Sequence, residues 1–138
     1  MDNTVILTVV ILLLIAVLFL MARINSKRIP QQKRDKILER LDEIKMQAES
    51  DDVYARRDAI IKMDNLLARA LQVRYKNTLS SGDNLKSAKT LFRKDTYQNI
   101  WDAHKLRNDI VHNDRDIEYD ETQKVYKVYK MAINKILQ

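Results

Sequence analysis

The chain has 138 residues, of which 25 are Lys or Arg, 19 are Asp or Glu, and one each is Gly and Pro. So much charge with so little backbone punctuation predicts long helices joined by short connections and argues against a sheet. The lack of cysteine excludes disulfides, thiolate catalysis and cysteine-based zinc sites, and two histidines alone make a poor structural metal site.

All 25 basic residues follow residue 22, whereas Asp2 is the one acid that precedes it, so the remainder carries 25 − 18 = +7. A basic part of this kind suits nucleic acid or an anionic lipid surface, although lysines on solvated helix faces give the same balance.

Thr4 to Ala22 is uncharged and, apart from Thr4 and Thr8, apolar. Nineteen residues at helical rise span roughly 28 Å, close to the hydrocarbon thickness of a bilayer. No cation precedes the run, and Leu20-Met21-Ala22-Arg23 offers no A-x-A-like cleavage site, so residues 4–22 read as a retained transmembrane helix embedded in lipid. The flanks set its direction. Asp2 lies before it, and Arg23, Lys27, Arg28, Lys33, Arg34 and Lys36 lie after it. By the positive-inside rule residues 1–3 are extracytoplasmic and residues 31–138 form a cytoplasmic domain. Residues 23–30 are a basic juxtamembrane linker whose cations also suit anionic head groups, and Pro30 closes it at the start of the next helix.

Four amphipathic helices follow. The first, from about Gln31 to Glu49, carries the narrow stripe Ile37, Leu38, Leu41, Ile44 and Ala48. Ser50-Asp51-Asp52 breaks it and supplies the next N-cap. The second, about Val53 to Leu79, buries Ile60, Ile61, Met63, Leu67, Ala70 and Leu71, and places Asp64 inside that stripe, where a carboxylate is costly unless paired. Ser80-Ser81-Gly82-Asp83 is expected to end it. Asn84 to Phe92 is a short helix or turn with Leu85, Ala88, Leu91 and Phe92 facing inward.

The third long helix opens at Asp95-Thr96-Tyr97-Gln98, spaced as a capping box. Its apolar arc is Ile100, Ala103, Leu106, Ile110 and Val111, with Arg107 near the middle of the arc and His104 at its border. Asn113 to Asp116 breaks it. The fourth begins near Asp120-Glu121-Thr122-Gln123, a second possible capping box, and carries Val125, Val128, Tyr129, Ala132, Ile133 and Ile136 on one face. Four such helices with short loops predict an all-α, up-and-down bundle behind a single transmembrane helix.

Two features exceed what packing requires. Asp64 and Arg107 both fall in apolar stripes, and each supplies what the other lacks, so they are expected to meet as a structural ion pair across the bundle. The other feature is Trp101-Asp102-Ala103-His104-Lys105-Leu106-Arg107-Asn108-Asp109-Ile110-Val111-His112, which contains R-x-x-x-x-H with an asparagine directly after the arginine. This pattern, late in a helix and ahead of a last amphipathic helix, resembles the signature of the HEPN family (higher eukaryotes and prokaryotes nucleotide-binding domain). The phrase also looks like those in small bacterial HEPN-like proteins. The resemblance covers about residues 53–137. It implies a metal-independent, cofactor-free endoribonuclease or RNA- or nucleotide-binding domain, with a composite site at a homodimer interface.

On that resemblance His112 is the general base, Arg107 the phosphate binder and Asn108 its polar helper, with His104 and Lys105 as accessories. These types suit the work, since metal-free RNA cleavage needs a base for the 2′-OH and a cation for the phosphate. Positions five apart differ by about 140° on a helix, so Arg107 and His112 converge only if the helix unwinds near His112 or if two copies face each other. The alternative is a non-catalytic helical module that dimerises or docks a membrane-associated protein. In that reading Arg107 is held in its ion pair with Asp64, His112 merely sits at a helix end, and Trp101 and the tyrosines pack. No P-loop, Gly-rich phosphate loop, acidic metal cluster or nucleophile triad is present in the sequence.

Overall fold

A computed structural model describes residues 2–26 and 28–138, with Ser26 described in its backbone only. Lys27, one of the flanking cations, and Met1 lie outside these residues. The described residues form no strand; the helices are α1 (Asn3–Ser26), α2 (Gln31–Ala48), α3 (Val53–Tyr75), α4 (Ser81–Ser87), a 3₁₀ turn (Ala88–Leu91), α5 (Lys94–Asn113) and α6 (Tyr119–Ile136).

Helix α1 is long and apolar enough to cross a membrane, and none of its described side chains, residues 3–25, is buried against the rest of the chain. Its 24 residues rise roughly 36 Å. It runs four residues past Ala22, so half of the expected linker 23–30 is helical instead. Thr8, a polar side chain within the run, donates its hydroxyl to the Thr4 carbonyl at 2.7 Å, so the hydroxyl needs no water.

Helices α2, α3, α5 and α6 pack around one core, and α3 touches each of the others. Side-chain bonds fix the directions. On α3, Arg56, Asp64 and Arg74 meet Ile117, Tyr129 and Ile136 in turn, so α3 and α6 run parallel. Asp64 meets His104 while Arg57 reaches the Ile110 carbonyl, so α5 runs opposite to α3. Gln123 and Tyr126 bond the carbonyls of Ala48 and Leu41, which makes α2 antiparallel to α6. The result is an up-down-up-down arrangement. Its centre holds Ile60, Met63, Leu67, Leu71, Ile100, Ile110, Tyr129 and Ile133, each at most 1% exposed. Burial of side chains this size contributes about 1.5–3 kcal/mol each.

Several expected boundaries move, each for an identifiable reason. Helix α3 stops at Tyr75, not Leu79, because Lys76 takes the left-handed conformation (φ 52°) and bonds back to Gln72. Ser80 does not end that helix; it caps α4 by accepting from the Asp83 amide at 3.2 Å. Neither later capping box forms, since Arg93 and Glu118 occupy the N-cap positions without side-chain caps. Thr122 is instead spent on the Glu118 carbonyl, and Gln123 on Ala48 of α2. Asp52 does cap α3, accepting from Tyr54. Val111, placed by periodicity in the arc of α5, is 45% exposed; it faces away from α3 and α6.

Two arginines hold the end of the bundle where α2 meets α3. Buried Arg56 donates to the carbonyls of Ser50, Asp51 and Ile117 at 2.7–3.2 Å, tying two connections to α3 without a carboxylate. Arg57 bonds Asp114, and Asp116 at 3.3 Å, and lies over the Tyr54 ring. The hydrogen bond to Asp114 raises its pKa further, against the effect of burial.

Candidate functional site

Asp64 is the residue around which the polar interior is arranged. It lies at the middle of α3, where the stripe of Ile60, Leu67 and Leu71 leaves its side chain 4% exposed. Its Oδ1 accepts from His104 Nδ1 at 2.8 Å and from Tyr129 Oη at 3.1 Å, while Oδ2 faces Arg107 Nε at 3.7 Å. One carboxylate thereby joins α3, α5 and α6. The Tyr129 hydroxyl is held well above its ordinary pKa, by burial first and then by the neighbouring Asp64 charge and the bond to it.

The structure therefore brings Asp64 and Arg107 together, but the closer partner of the carboxylate is His104, which periodicity had placed only at the border of the arc. Helix spacing explains the grouping, because His104 and Arg107 are three residues apart and share a side of α5. A carboxylate only accepts hydrogen bonds, so His104 Nδ1 carries the proton in this pair. Its Nε2 looks toward the first turn of α4. A Cβ at Gly82 would stand 3.9 Å from that nitrogen and 3.7 Å from Trp101 Cη2. Trp101 in turn meets the rings of His104 and Tyr97 edge to face, at 5.8 and 6.3 Å, which fixes the imidazole plane.

Arg107 is a quarter exposed and incompletely paired. Its Nη1 donates to Asn108 Oδ1 at 3.0 Å, yet Nε is buried and makes no hydrogen bond. The guanidinium is thus held from the inside by Asp64 and at Nη1 by Asn108, and its quarter exposure leaves its outer edge, not the buried Nε, open to a further anion. Lys105 is exposed and pairs with Asp102 at 3.8 Å, away from this group.

His112 is exposed near the end of α5. The helix does not unwind before it; regular turns continue to Asn113, and Asp114 (φ 52°) closes the end. Arg107 and His112 therefore remain about 140° apart around the axis, and a single chain does not bring them to one ligand. Sequence reasoning underrates two members of the group, His104 at the border of the arc and Tyr129. Tyr129 reads as packing, although a hydroxyl in the middle of an apolar face needs a partner, and Asp64 is the buried acceptor on offer. Ser81 Oγ is a further buried polar atom without a hydrogen bond, just before Gly82. Among the described residues no cluster of three or more His, Asp or Glu could hold a metal ion.

No family model, curated protein or solved structure matches the chain.

Proposed function

We propose that the chain is a membrane-anchored, HEPN-like helical domain that binds the phosphate of RNA or of a nucleotide at Arg107 and is a metal-independent ribonuclease. In this reading α1 spans the bilayer with its N-terminus outside, and the bundle works at the cytoplasmic face. The observation that carries the proposal is Arg107 itself, a quarter exposed, with its buried Nε turned in toward Asp64 and Nη1 held by Asn108, so that the outer edge of the guanidinium is the part left to meet an anion. A bound phosphate would meet a planar donor already oriented for it.

Two histidines compete for the base. His112, the base by resemblance, would need a second chain to reach a phosphate on Arg107. His104 lies on the arginine's own side of α5, oriented by a buried carboxylate in the manner of a positioned general base. The test uses the full chain in detergent with mixed RNA and EDTA, beside Arg107→Ala, His112→Ala and His104→Gln, each checked for helical content. Cleavage lost in folded Arg107→Ala and in one histidine variant is the expected result, and the histidine that matters identifies the base. A wild type that neither binds nor cleaves RNA sinks the proposal.

The polar network favours a second reading, a non-catalytic interaction module in which Arg107 chiefly helps to neutralise Asp64. It gains support if Arg107→Ala and His112→Ala both stay folded and treat RNA no differently from wild type.

A further inference from the structure

The charges of the bundle are sorted along its axis. Residues 28–34, 65–82 and 124–138 contain three, three and four Lys or Arg, and no Asp or Glu. Residues 49–52 and 114–121 contain three and five acids against the single cation Arg115. The three basic segments reach one end, although Lys124, in the second turn of α6, lies toward the other beside Arg115 and Glu121. Arg74 Nη1, late in α3, donates to the Ile136 carbonyl at the end of α6 at 2.7 Å, and Lys33 at the start of α2 lines a groove with Arg69 of α3 and Lys76 just past its end. This is the end that α1 enters. Only residues 27–30 separate the two helices, at most about 14 Å of extended chain.

The basic end is grooved. One groove of about 300 Å³ places Lys33, Lys36, Arg40 and Arg69 over a floor of Ile37, Leu66 and Val73. Arg40 also pairs with Glu43. A larger one, about 830 Å³, includes Arg28, Arg34 and Arg74 beside Ile29, Tyr75 and Leu137. Neither is lined by an acidic residue.

We propose that this end of the bundle docks on the anionic phospholipid headgroups that surround α1. The grooves receive headgroup phosphates between their cations. The inference rests on α1 crossing the membrane. That crossing holds the grooves within one short linker of the lipid surface, and clustered cations with no acid among them suit a layer of anionic headgroups. Stacked bases would need an aromatic platform, and Tyr75 is the one aromatic side chain among these grooves.

The lack of cysteine makes the test direct. Thr78→Cys marks the basic end and Asp51→Cys the acidic end, roughly 35 Å apart along α3. Each labelled full chain is reconstituted in nanodiscs carrying a headgroup acceptor dye, in phosphatidylcholine alone or with phosphatidylglycerol. Expected is stronger energy transfer from the Thr78→Cys label in the phosphatidylglycerol discs, lost in high salt, with weak transfer from Asp51→Cys throughout. Each cation at such a surface is worth about a five-fold shift in the docking equilibrium. Lys33→Gln, Lys36→Gln and Arg69→Gln together, all at exposed positions, should therefore weaken docking on the order of a hundred-fold without loss of helix.

Transfer from Thr78→Cys that ignores lipid charge and salt overturns the proposal. If it does so while short RNA binds the wild type and not the triple variant, the grooves belong to nucleic acid. A chain that fails to enter discs of either composition refutes the anchor itself, a separate failure seen before any transfer is measured.

Discussion

Replacing Asp64 by alanine tests the account of the interior most sharply. Two hydrogen-bond donors and one ion-pair partner lose the carboxylate at once, and they differ in what that costs. The Tyr129 hydroxyl, in a residue with no exposure, is left buried and unpaired, at about 1–3 kcal/mol. The charge-assisted bond to His104 adds about 1.5–3 kcal/mol. The contact with Arg107 adds less than about 1 kcal/mol, because that side chain is a quarter exposed and regains water. Against these stands the relief of no longer desolvating a carboxylate, so the net loss should be about 3–5 kcal/mol, the usual cost of breaking a buried pair from one side. For a bundle of about a hundred residues, at about 4 °C per kcal/mol, this lowers Tm by about 12–20 °C. The assay is thermal and urea unfolding of the full chain in detergent, followed by Trp101 fluorescence, which reports the bundle and not α1. Tyr129→Phe, which leaves His104 and Arg107 on the carboxylate, should lose only about 1 kcal/mol. An Asp64→Ala chain within 1 kcal/mol of wild type would refute the reasoning.

Other outcomes follow from the same geometry. Tyr129 has a folded pKa raised above its ordinary value of about 10, so its share of stability is complete below that pH and disappears as pH rises through the higher folded value. Urea midpoints taken between pH 8 and pH 11.5 should therefore fall steeply at the alkaline end in wild type and less steeply in Tyr129→Phe. Gly82→Ala should raise stability by about 0.5 kcal/mol by chemical denaturation, because the added Cβ meets Trp101 and His104 at ordinary contact distances and alanine is the better helix former. A loss instead would show that α4 cannot give way there. His112→Ala should leave the unfolding midpoint within about 0.5 kcal/mol of wild type, since the residue is exposed. A larger drop would make His112 a structural residue.

The helices and their inward faces follow from hydrophobic spacing alone, because each long helix buries one stripe against α3. What spacing does not carry is the ends. Lys76 and Asp114 take left-handed conformations that favour glycine, and Arg93 and Glu118 stand at N-caps that favour short polar side chains. Tertiary bonds took up the residues that local rules would have spent on capping, as with Gln123 on Ala48. The site divides along the same line. Asp64 and Arg107 are visible as charges in apolar stripes, whereas the preference of Asp64 for His104 over Arg107 depends on the rotation of α5 about its axis. That rotation is set by Trp101 packing beside Gly82, a contact nineteen residues apart that no local pattern encodes.

Because Asp64 takes its partners from two other helices, it also fixes how far each may slide. Moving α5 by one turn displaces it by about 5.4 Å, beyond hydrogen-bond reach, and leaves a carboxylate in the core with its imidazole gone. Apolar stripes penalise such a slip weakly, since one aliphatic residue replaces another at similar volume. The carboxylate thus acts as a register key, trading desolvation for a single alignment. A variant with Asp64→Leu, His104→Leu and Tyr129→Phe should keep much of its helix and stability while its NMR resonances around α5 multiply or broaden. A single sharp set would show that packing alone sets the alignment.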